Sequence, residues 1–281
     1  MKRAAVVLAI SLAVFAGALS SGQTAQQNPG AGQAPAPAAK RPPQAKTQPE
    51  YDAWKAASGN NDPAAMEKAA EDFEAKFPAS ELRILLYRNA MRLYQNSDNA
   101  AKSEAMGRKV LSFDGDDPEG LVVVAFAIIK RTHDTDLDRD QRFAEATSLS
   151  QKALQTIDTD ISVPGAPQDK IDAYKALLRS QAYSIIGTIA YDKENYAVAQ
   201  DNLQKSIDAD PSDPQPADIL RLALALDKQQ KYPEALKWAN RAVEMTQENT
   251  AIGTPARSER DRLQALTGSA APAPPQTAPK N

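Results

Sequence analysis

The chain has 281 residues, with 33 Lys or Arg, 36 Asp or Glu and one His, which gives a formal net charge of −3. It contains no cysteine, which excludes disulfides, thiolate metal sites and a lipid attached to an N-terminal cysteine. The slightly acidic balance argues against nucleic-acid binding, which needs a basic face. His133 is the only imidazole, and nucleotide-binding, zinc-protease and hydrolase motifs are absent, so the sequence predicts no catalytic residue, no cofactor and no enzyme.

The N-terminus has the proportions of a secretory signal peptide. Lys2 and Arg3 precede an apolar run over residues 4–19, which small residues follow. We predict a signal peptide over residues 1–25, cleaved after Ala18 or after a later residue as far as Ala25. An uncleaved anchor is the alternative, but the run is short because a membrane helix needs about 20 apolar residues. The mature chain is expected to be exported, periplasmic or secreted, soluble and not a lipoprotein.

Two segments rich in Ala, Pro and Gln flank the middle of the chain, at residues 26–46 and 267–281. They contain almost nothing that could be buried, and we predict that both are disordered. The region between them, 47–266, has apolar residues at helical spacing and lacks alternating runs bounded by hairpin turns. This region is therefore predicted to be all-α.

The apolar pattern of this region recurs with a period near 34 residues. We place units at 47–80, 84–117, 118–160, 180–213 and 216–249. Large residues carry the pattern in the first three units: Trp54, Phe73, Tyr87, Tyr94, Val110, Leu121, Val124, Ile128 and Phe143. The second unit has Ser103 and Gly107 where Ala and an aromatic residue are expected, and the third contains about nine extra residues relative to the period.

The fourth and fifth units carry the pattern most clearly. With Ser180 as position 1, Gly187 stands at position 8, Ala199 at position 20 and Leu203 at position 24. The fifth unit has alanine at the same three positions: Ala223, Ala235 and Ala239. Paired helices approach closely only where small residues leave room and larger residues fill the groove beside them. The pattern resembles the tetratricopeptide repeat, and FEAKFPAS, which ends the first unit, resembles the repeats of bacterial envelope proteins.

The resemblance implies a right-handed α-solenoid of about five helix-turn-helix repeats over residues 47–266. Residues 162–179 do not fit a repeat, and we interpret them as an insertion whose second part lengthens the first helix of the fourth unit. Residues 255–266 are predicted to form a polar helix that caps the exposed end of the stack.

In this family the first helices of the repeats line a concave groove, and the resemblance implies that the groove binds a peptide or partner protein. The predicted partner-binding residues are Arg88, Arg92, Gln95, Val122, Phe126, Ile129, Lys130, Ser184, Thr188, Tyr191, Leu220 and Leu224. Arg88 and Arg92 lie one helical turn apart, so they could grip a carboxylate of a partner or pair within the chain. The apolar stripe of Val122, Phe126 and Ile129 is expected to be covered, either by a partner or by the insertion.

One loop is rich in aspartate and has the spacing of a calcium-binding loop. The candidate ligands are Asp134, Asp136, Asp138, Asp140 and Glu145. Arg139 stands where such a loop needs glycine for its sharp turn, and Arg142 brings positive charge toward the ion. We therefore favour a plain loop between two helices, with calcium as the alternative.

These observations favour a non-enzymatic scaffold of the bacterial cell envelope that binds a protein or peptide on its concave face. The alternative is a structural or assembly subunit of an envelope or outer-membrane complex, in which the convex face makes permanent contacts. Neither hypothesis involves nucleic acid or stable membrane insertion after signal cleavage.

Overall fold

The computed structural model describes residues 40–161 and 165–268. Over these two ranges the chain forms eleven α-helices and no β-strand, which confirms the predicted all-α class. The helices are α1 (Gln48–Ser58), α2 (Pro63–Lys76), α3 (Arg83–Asn96), α4 (Ala100–Phe113), α5 (Pro118–Lys130), α6 (Arg139–Asp160), α7 (Gln168–Asp192), α8 (Tyr196–Ala209), α9 (Pro216–Lys228), α10 (Tyr232–Glu244) and α11 (Gly253–Gly268). The predicted signal peptide lies outside the described residues.

The turn inside a repeat has the same unusual backbone conformation in three of the five units. Asp98, Glu194 and Gln230 have φ angles of 63°, 59° and 61°. Each is the fifteenth residue of its predicted unit and lies two residues before the second helix begins. None is glycine, although the left-handed region is costly for other L-residues. The recurrence at one position of the predicted units is a second regularity, independent of the apolar pattern, that agrees with their register.

Short polar residues determine where many of the helices begin. The side chains of Asp62, Asn99 and Asp117 each accept a hydrogen bond from the backbone N–H three residues later, at 2.8, 3.1 and 2.7 Å. These bonds satisfy N–H groups that have no partner within the helix. Pro63 and Pro118 follow two of these caps, at a position where a missing N–H costs nothing.

The chain divides into two compact units, one ending at Leu178 and the other beginning at Arg179. Helix α7 contributes residues 168–178 to the first unit and 179–192 to the second. Each unit has its own apolar core, built where consecutive helices pack together. The core of the first unit includes Met66, Leu86, Tyr87, Met91 and Val110, and that of the second includes Leu203, Ile219, Leu222, Leu226 and Ala239.

Close helix packing depends on a pair of residues at positions 8 and 24 of a repeat. In the fourth unit Gly187 packs on Leu203, and a Cβ added to the glycine would lie 2.8 Å from the Leu203 Cγ. The second repeat, residues 84–117, reverses the pair, because Met91 is the large residue and Gly107 the small one. A Cβ on Gly107 would lie 3.3 Å from the Met91 sulfur and 2.6 Å from a methyl group of Val124. Gly107 therefore serves the same packing function that Gly187 serves two repeats later.

The structure differs from the sequence prediction at the edges of the repeat region. Residues 40–46 were expected to be disordered, but they lie extended against the helices and hydrogen-bond to them, as described below. The capping helix is longer than predicted and runs over Gly253–Gly268, so residues 267 and 268 do not belong to a disordered tail. The rest of the two predicted disordered segments lies outside the described residues. Within the described ranges, no helix has the length and hydropathy that a membrane span requires.

Candidate functional site

The first helices of the second and third units, α3 and α5, are joined by a cluster of charged side chains. Arg92 of α3 binds Glu119 of α5 through two hydrogen bonds, with Nη2–Oε2 at 2.6 Å. Arg88, one turn earlier, pairs with Asp117, and its Nε lies 3.6 Å from Glu119. Asp117 uses its other oxygen to cap α5. The two arginines thus pair within the chain, which is one of the two roles that the sequence left open for them.

Burial and charge act in opposite directions on this cluster. Burial alone would raise the pKa of Glu119, but the neighbouring guanidinium groups of Arg92 and Arg88 lower it below its ordinary value. Burial alone would lower the pKa of Arg88, yet the charges of Asp117 and Glu119 raise it. Glu119, Arg88 and Arg92 are therefore charged at neutral pH, and each of these charges depends on the others for its stability.

Helix α7 covers this cluster with Tyr174. The tyrosine hydroxyl is buried and lies within reach of Arg92 and Glu119, but it makes a hydrogen bond of ordinary geometry with neither. Burial, followed by the negative charge of Glu119, raises the pKa of Tyr174 well above its usual value. Val122 is 1% exposed. Part of the predicted insertion therefore lies over the charged end of the face formed by α3 and α5, which we call the first-helix face of the first unit.

The other end of the same face is open. Phe126 is 44% exposed, whereas the neighbouring Ala127 is buried. Ile129 and Gln95 are partly exposed, and Lys130 is exposed and pairs with Asp98. Phe126, Gln95 and Lys130 border a recess of about 20 Å³, which has room for about one water molecule. The open end is thus a shallow surface with one large aromatic ring, and it is suited to contact a partner's side chain.

The second compact unit contains the fourth and fifth repeats, whose first helices are α7, over residues 179–192, and α9. Ser184 of α7 donates to Asp218 of α9 at 2.7 Å, and Ser206 of α8 donates to the other carboxylate oxygen at 2.8 Å. Asp218 is 2% exposed, and Arg221 lies 3.7 Å away. Burial raises the pKa of Asp218, and the hydroxyl groups and Arg221 lower it only in part.

The remaining predicted residues of the second unit divide into buried and accessible ones. Leu220 is buried in the core. Thr188, Tyr191 and Leu224 are partly exposed, and the last two also pack against the core. Next to them, Arg262 of the capping helix donates to Asp227 of α9 at 2.5 Å. The capping helix therefore contacts the first helix of the fifth unit as well as α10.

Sequence reasoning missed Asp117, Glu119, Tyr174 and Asp218 as members of these clusters. Three of them are acids in or immediately before the first turn of a first helix. Acids are common there because they complement the helix dipole, so the position alone does not distinguish a cap from an inter-repeat partner. Tyr174 belongs to the insertion that the sequence offered as a cover for the apolar stripe, and nothing in its position predicted contact with the charged cluster.

The aspartate-rich loop does not gather its carboxylates around one point. No three of Asp134, Asp136, Asp138, Asp140 and Glu145 lie close enough together to share an ion. Helix α6 begins at Arg139, so the last two acids lie on a helix instead of wrapping a loop. Asp136 accepts from Arg142 at 3.1 Å, and Glu145 accepts from Arg108 at 2.7 Å. The favoured interpretation, a loop between two helices, fits this geometry.

Successive helix pairs, small residues where paired helices meet and a recurring left-handed turn residue define an all-α fold built from helix-turn-helix repeats. Among solved structures the chain is similar to YrrB, described as a TPR protein with an unusual peptide-binding site, at 15% identity and a TM-score of 0.48. That match covers 72% of this chain and 87% of YrrB.

Two further structures share this level of similarity. The TPR protein TTC0263 of Thermus thermophilus is 14% identical with a TM-score of 0.44, and the match covers 75% of this chain and 98% of that chain. The protein Acl4, described as an assembly chaperone of RpL4, is 12% identical with a TM-score of 0.45, over 79% and 99% of the two chains. No protein-family model and no curated protein matches the chain.

Proposed function

We propose that the protein is a non-enzymatic scaffold of the bacterial cell envelope that binds a peptide or partner protein on its first-helix face. This is the face that the sequence predicts to be concave. The observation that carries the proposal is the exposed ring of Phe126 at a repeat position that faces the groove in proteins of this kind. Export rests on the apolar N-terminal run that Lys2 and Arg3 precede.

The binding surface is the open end of the face in the first unit. Val122 is buried, and Arg88 and Arg92 are paired with acids of this chain, so their charges are already neutralised. Phe126 offers an aromatic surface, Gln95 offers an amide for a peptide backbone, and Lys130 offers a charge that an acidic group of a partner can take from Asp98. This combination favours a segment with one apolar anchor and a nearby carboxylate.

The test is capture of partners from envelope extract by the mature protein and two variants. Phe126→Glu removes the apolar anchor and adds a charge in the middle of the surface. Val198→Glu is the matched control, because Val198 is similarly exposed at 41% but lies on α8, a second helix. We expect a partner that the control retains and Phe126→Glu loses. A partner that both variants retain equally would contradict binding on this face.

A second candidate function is a structural subunit of an envelope assembly, and one observation favours it. Helices α1 and α2 leave an apolar groove of about 330 Å³, lined by Ala53, Ala56, Ala57, Ala69 and Phe73 among others. Such small residues permit close approach of another helix. An obligate subunit should aggregate or unfold when it is purified alone, whereas a transient scaffold should be a stable monomer. Sedimentation of the purified mature chain distinguishes the two.

A further inference from the structure

Residues 40–46, with the sequence KRPPQAK, form an extended segment that we call the N-terminal arm. Its first residue is held at three points. The Lys40 ammonium donates to Asp114 at 2.6 Å and to Asp160 at 3.0 Å, and the Lys40 backbone N–H donates to the carbonyl of Thr159 at 3.3 Å. Burial alone would lower the pKa of Lys40, but its bonds to the two carboxylates raise it.

The rest of the arm is held by an ion pair and by hydrogen bonds from its backbone and side chains. Arg41 binds both oxygens of Glu81, at 2.8 and 2.6 Å, and the backbone N–H of Gln44 donates to the same carboxylate at 3.1 Å. At the far end, the backbone N–H of Lys46 donates to Glu50 at 2.8 Å. The Lys46 ammonium donates to a carbonyl in the turn before α3 at 3.1 Å.

Three successive helix pairs supply these contacts. Glu50 belongs to α1, Glu81 immediately precedes α3, Asp114 follows α4, and Asp160 ends α6. In repeat proteins each helix pair normally contacts only the neighbouring pairs. A single segment that contacts three pairs is therefore not part of the repeat architecture itself. The two prolines of the arm favour the extended conformation and have no N–H that would lose a partner.

The carboxylates that bind Lys40 lie close together, so they require a positive charge between them. The carboxylates of Asp114, Asp116 and Asp160 lie within 4.8 Å of one another, an arrangement that repulsion disfavours without a positive charge. The Lys40 ammonium bonds two of them, and Lys152 pairs with Asp116 at 2.8 Å. The cluster therefore has an observed ligand, the basic end of an extended segment, in addition to its negative charge.

We propose that Glu81, Asp114, Asp160 and the Thr159 carbonyl form a binding site for an extended Lys-Arg-Pro-Pro segment, which the protein's own arm fills and which a partner's segment of the same chemistry fills when the arm leaves. The site lies at the ends of the helices and is independent of the first-helix face. The arm is displaceable because its side chains remain 45% exposed at Lys40 and 64% exposed at Arg41. Exposed ion pairs are individually weak and are screened by salt.

The test measures binding of a fluorescent KRPPQAK peptide to the full mature chain by anisotropy. In the Lys40→Glu, Arg41→Glu double variant the arm repels its own site, so the site is open. We expect the peptide to bind this variant at least about tenfold more tightly than the wild-type chain, where the tethered arm competes at an effective concentration of about a millimolar. Binding should weaken as salt is raised.

Two controls define the site. Lys68→Glu with Lys205→Glu makes the same change in charge at exposed ion pairs on α2 and α8, and it should bind peptide no better than wild type. Adding Glu81→Lys to the arm variant should abolish peptide binding, and a peptide with both basic residues replaced by alanine should not bind. The proposal is overturned if the arm variant binds no peptide, or binds the alanine peptide equally well.

A measurement on the wild-type chain guards against misfolding of the variants. Trypsin cleaves after Lys40 only when the arm is free, so we expect cleavage there to be slow at low salt and to accelerate when salt or excess peptide is added. Cleavage after Lys40 that is as fast at low salt as at high salt would also overturn the proposal. Concentration-dependent dimers that the Lys40→Glu, Arg41→Glu variant does not form would support it, because a second copy's arm would then fill the site.

Discussion

The contact between Gly187 and Leu203 offers the most direct test of the repeat register. A Cβ at position 187 would lie 2.8 Å from the Leu203 Cγ and 3.1 Å from the backbone nitrogen of the same residue. The side chain can rotate away in part, but the backbone of α8 cannot move without disturbing its other contacts. Gly187→Leu therefore forces the two helices of the fourth unit apart.

The expected magnitude follows from two opposing effects. Overpacking of a close-packed interior costs about 1–3 kcal/mol, and more when the backbone must shift. Replacing a mid-helix glycine by leucine returns about 0.7 kcal/mol of helix propensity. We expect Gly187→Leu to lower the free energy of unfolding by about 2 kcal/mol. Leu203→Ala alone, which leaves a cavity, should cost about 3 kcal/mol.

The decisive variant combines both changes, because the second repeat, residues 84–117, already uses the reversed arrangement of Met91 and Gly107. The double variant Gly187→Leu, Leu203→Ala should cost about 2 kcal/mol less than the sum of the single changes, since each large side chain then faces a small one. Gly268→Leu is the matched control, because Gly268 ends the capping helix of the same compact unit. No atom lies within 4 Å of its added Cβ, and it should change stability by less than about 0.5 kcal/mol.

Urea unfolding followed by tryptophan fluorescence measures these differences unit by unit. Trp238 packs against the core of the second compact unit, and Trp54 packs against the core of the first. In a Trp54→Phe background the fluorescence therefore reports on the second compact unit alone. An unchanged midpoint in Gly187→Leu would refute the register of the fourth unit. Simple additivity in the double variant would show that positions 187 and 203 do not share one packing site.

Three further predictions concern the two polar clusters. The raised pKa of Asp218 means that its contribution to stability is fully present below its unfolded pKa, near 3.8, and is lost as pH rises through the higher folded value. Asp218→Asn should remove this decline when Trp238 fluorescence is followed from about pH 4 to about pH 7. Glu119 has the opposite sign, because its lowered pKa stabilises the first unit above about 4.5 and the effect fades in acid. Glu119→Gln should therefore cost about 3 kcal/mol at neutral pH and less in acid, as reported by Trp54. Tyr174→Phe should change stability by less than about 0.5 kcal/mol, since the lost hydroxyl makes no ordinary hydrogen bond, whereas Tyr174→Ala should cost about 3 kcal/mol by the same assay.

The fold was predictable because the repeat period and helical spacing are properties of the sequence alone. The all-α class is confirmed. The pairing of Met91 with Gly107 was not predictable from the family pattern, because the constraint acts on the combined size of two side chains. A pattern that assigns a size to each position reads a reversed pair as two mismatches, although the packing is equally close.

The arm could not be predicted for a different reason. Its composition lacks residues to bury, and low hydrophobicity is a sound predictor of disorder when the only driving force is burial. Here order comes from Lys40 and Arg41, whose carboxylate partners lie between 40 and 120 residues away in sequence. Nothing in the arm itself identifies those partners. They become visible only when the ends of α3, α4 and α6 are brought to one edge.

The candidate binding residues separate by repeat position, and this separation explains why only part of the predicted face remains open. All four candidates at position 5 of a repeat are used within the chain: Arg88, Val122, Ser184 and Leu220. Two of them, Arg88 and Ser184, bond to an acid at the beginning of the next first helix, which ties neighbouring repeats together.

Positions 9, 12 and 13 lie one or two turns further along the same helices, although Arg92 at position 9 still reaches one of these acids, Glu119. Their candidates are all partly or fully exposed: Arg92, Gln95, Phe126, Ile129, Lys130, Thr188, Tyr191 and Leu224. Position 5 therefore serves the fold, whereas positions 9, 12 and 13 keep side-chain surface that is accessible to a partner. Mutations at position 5 should lower stability before they affect binding, whereas Phe126→Glu should reduce binding with little loss of stability. Equal losses of binding and stability in Phe126→Glu would contradict this division of the face.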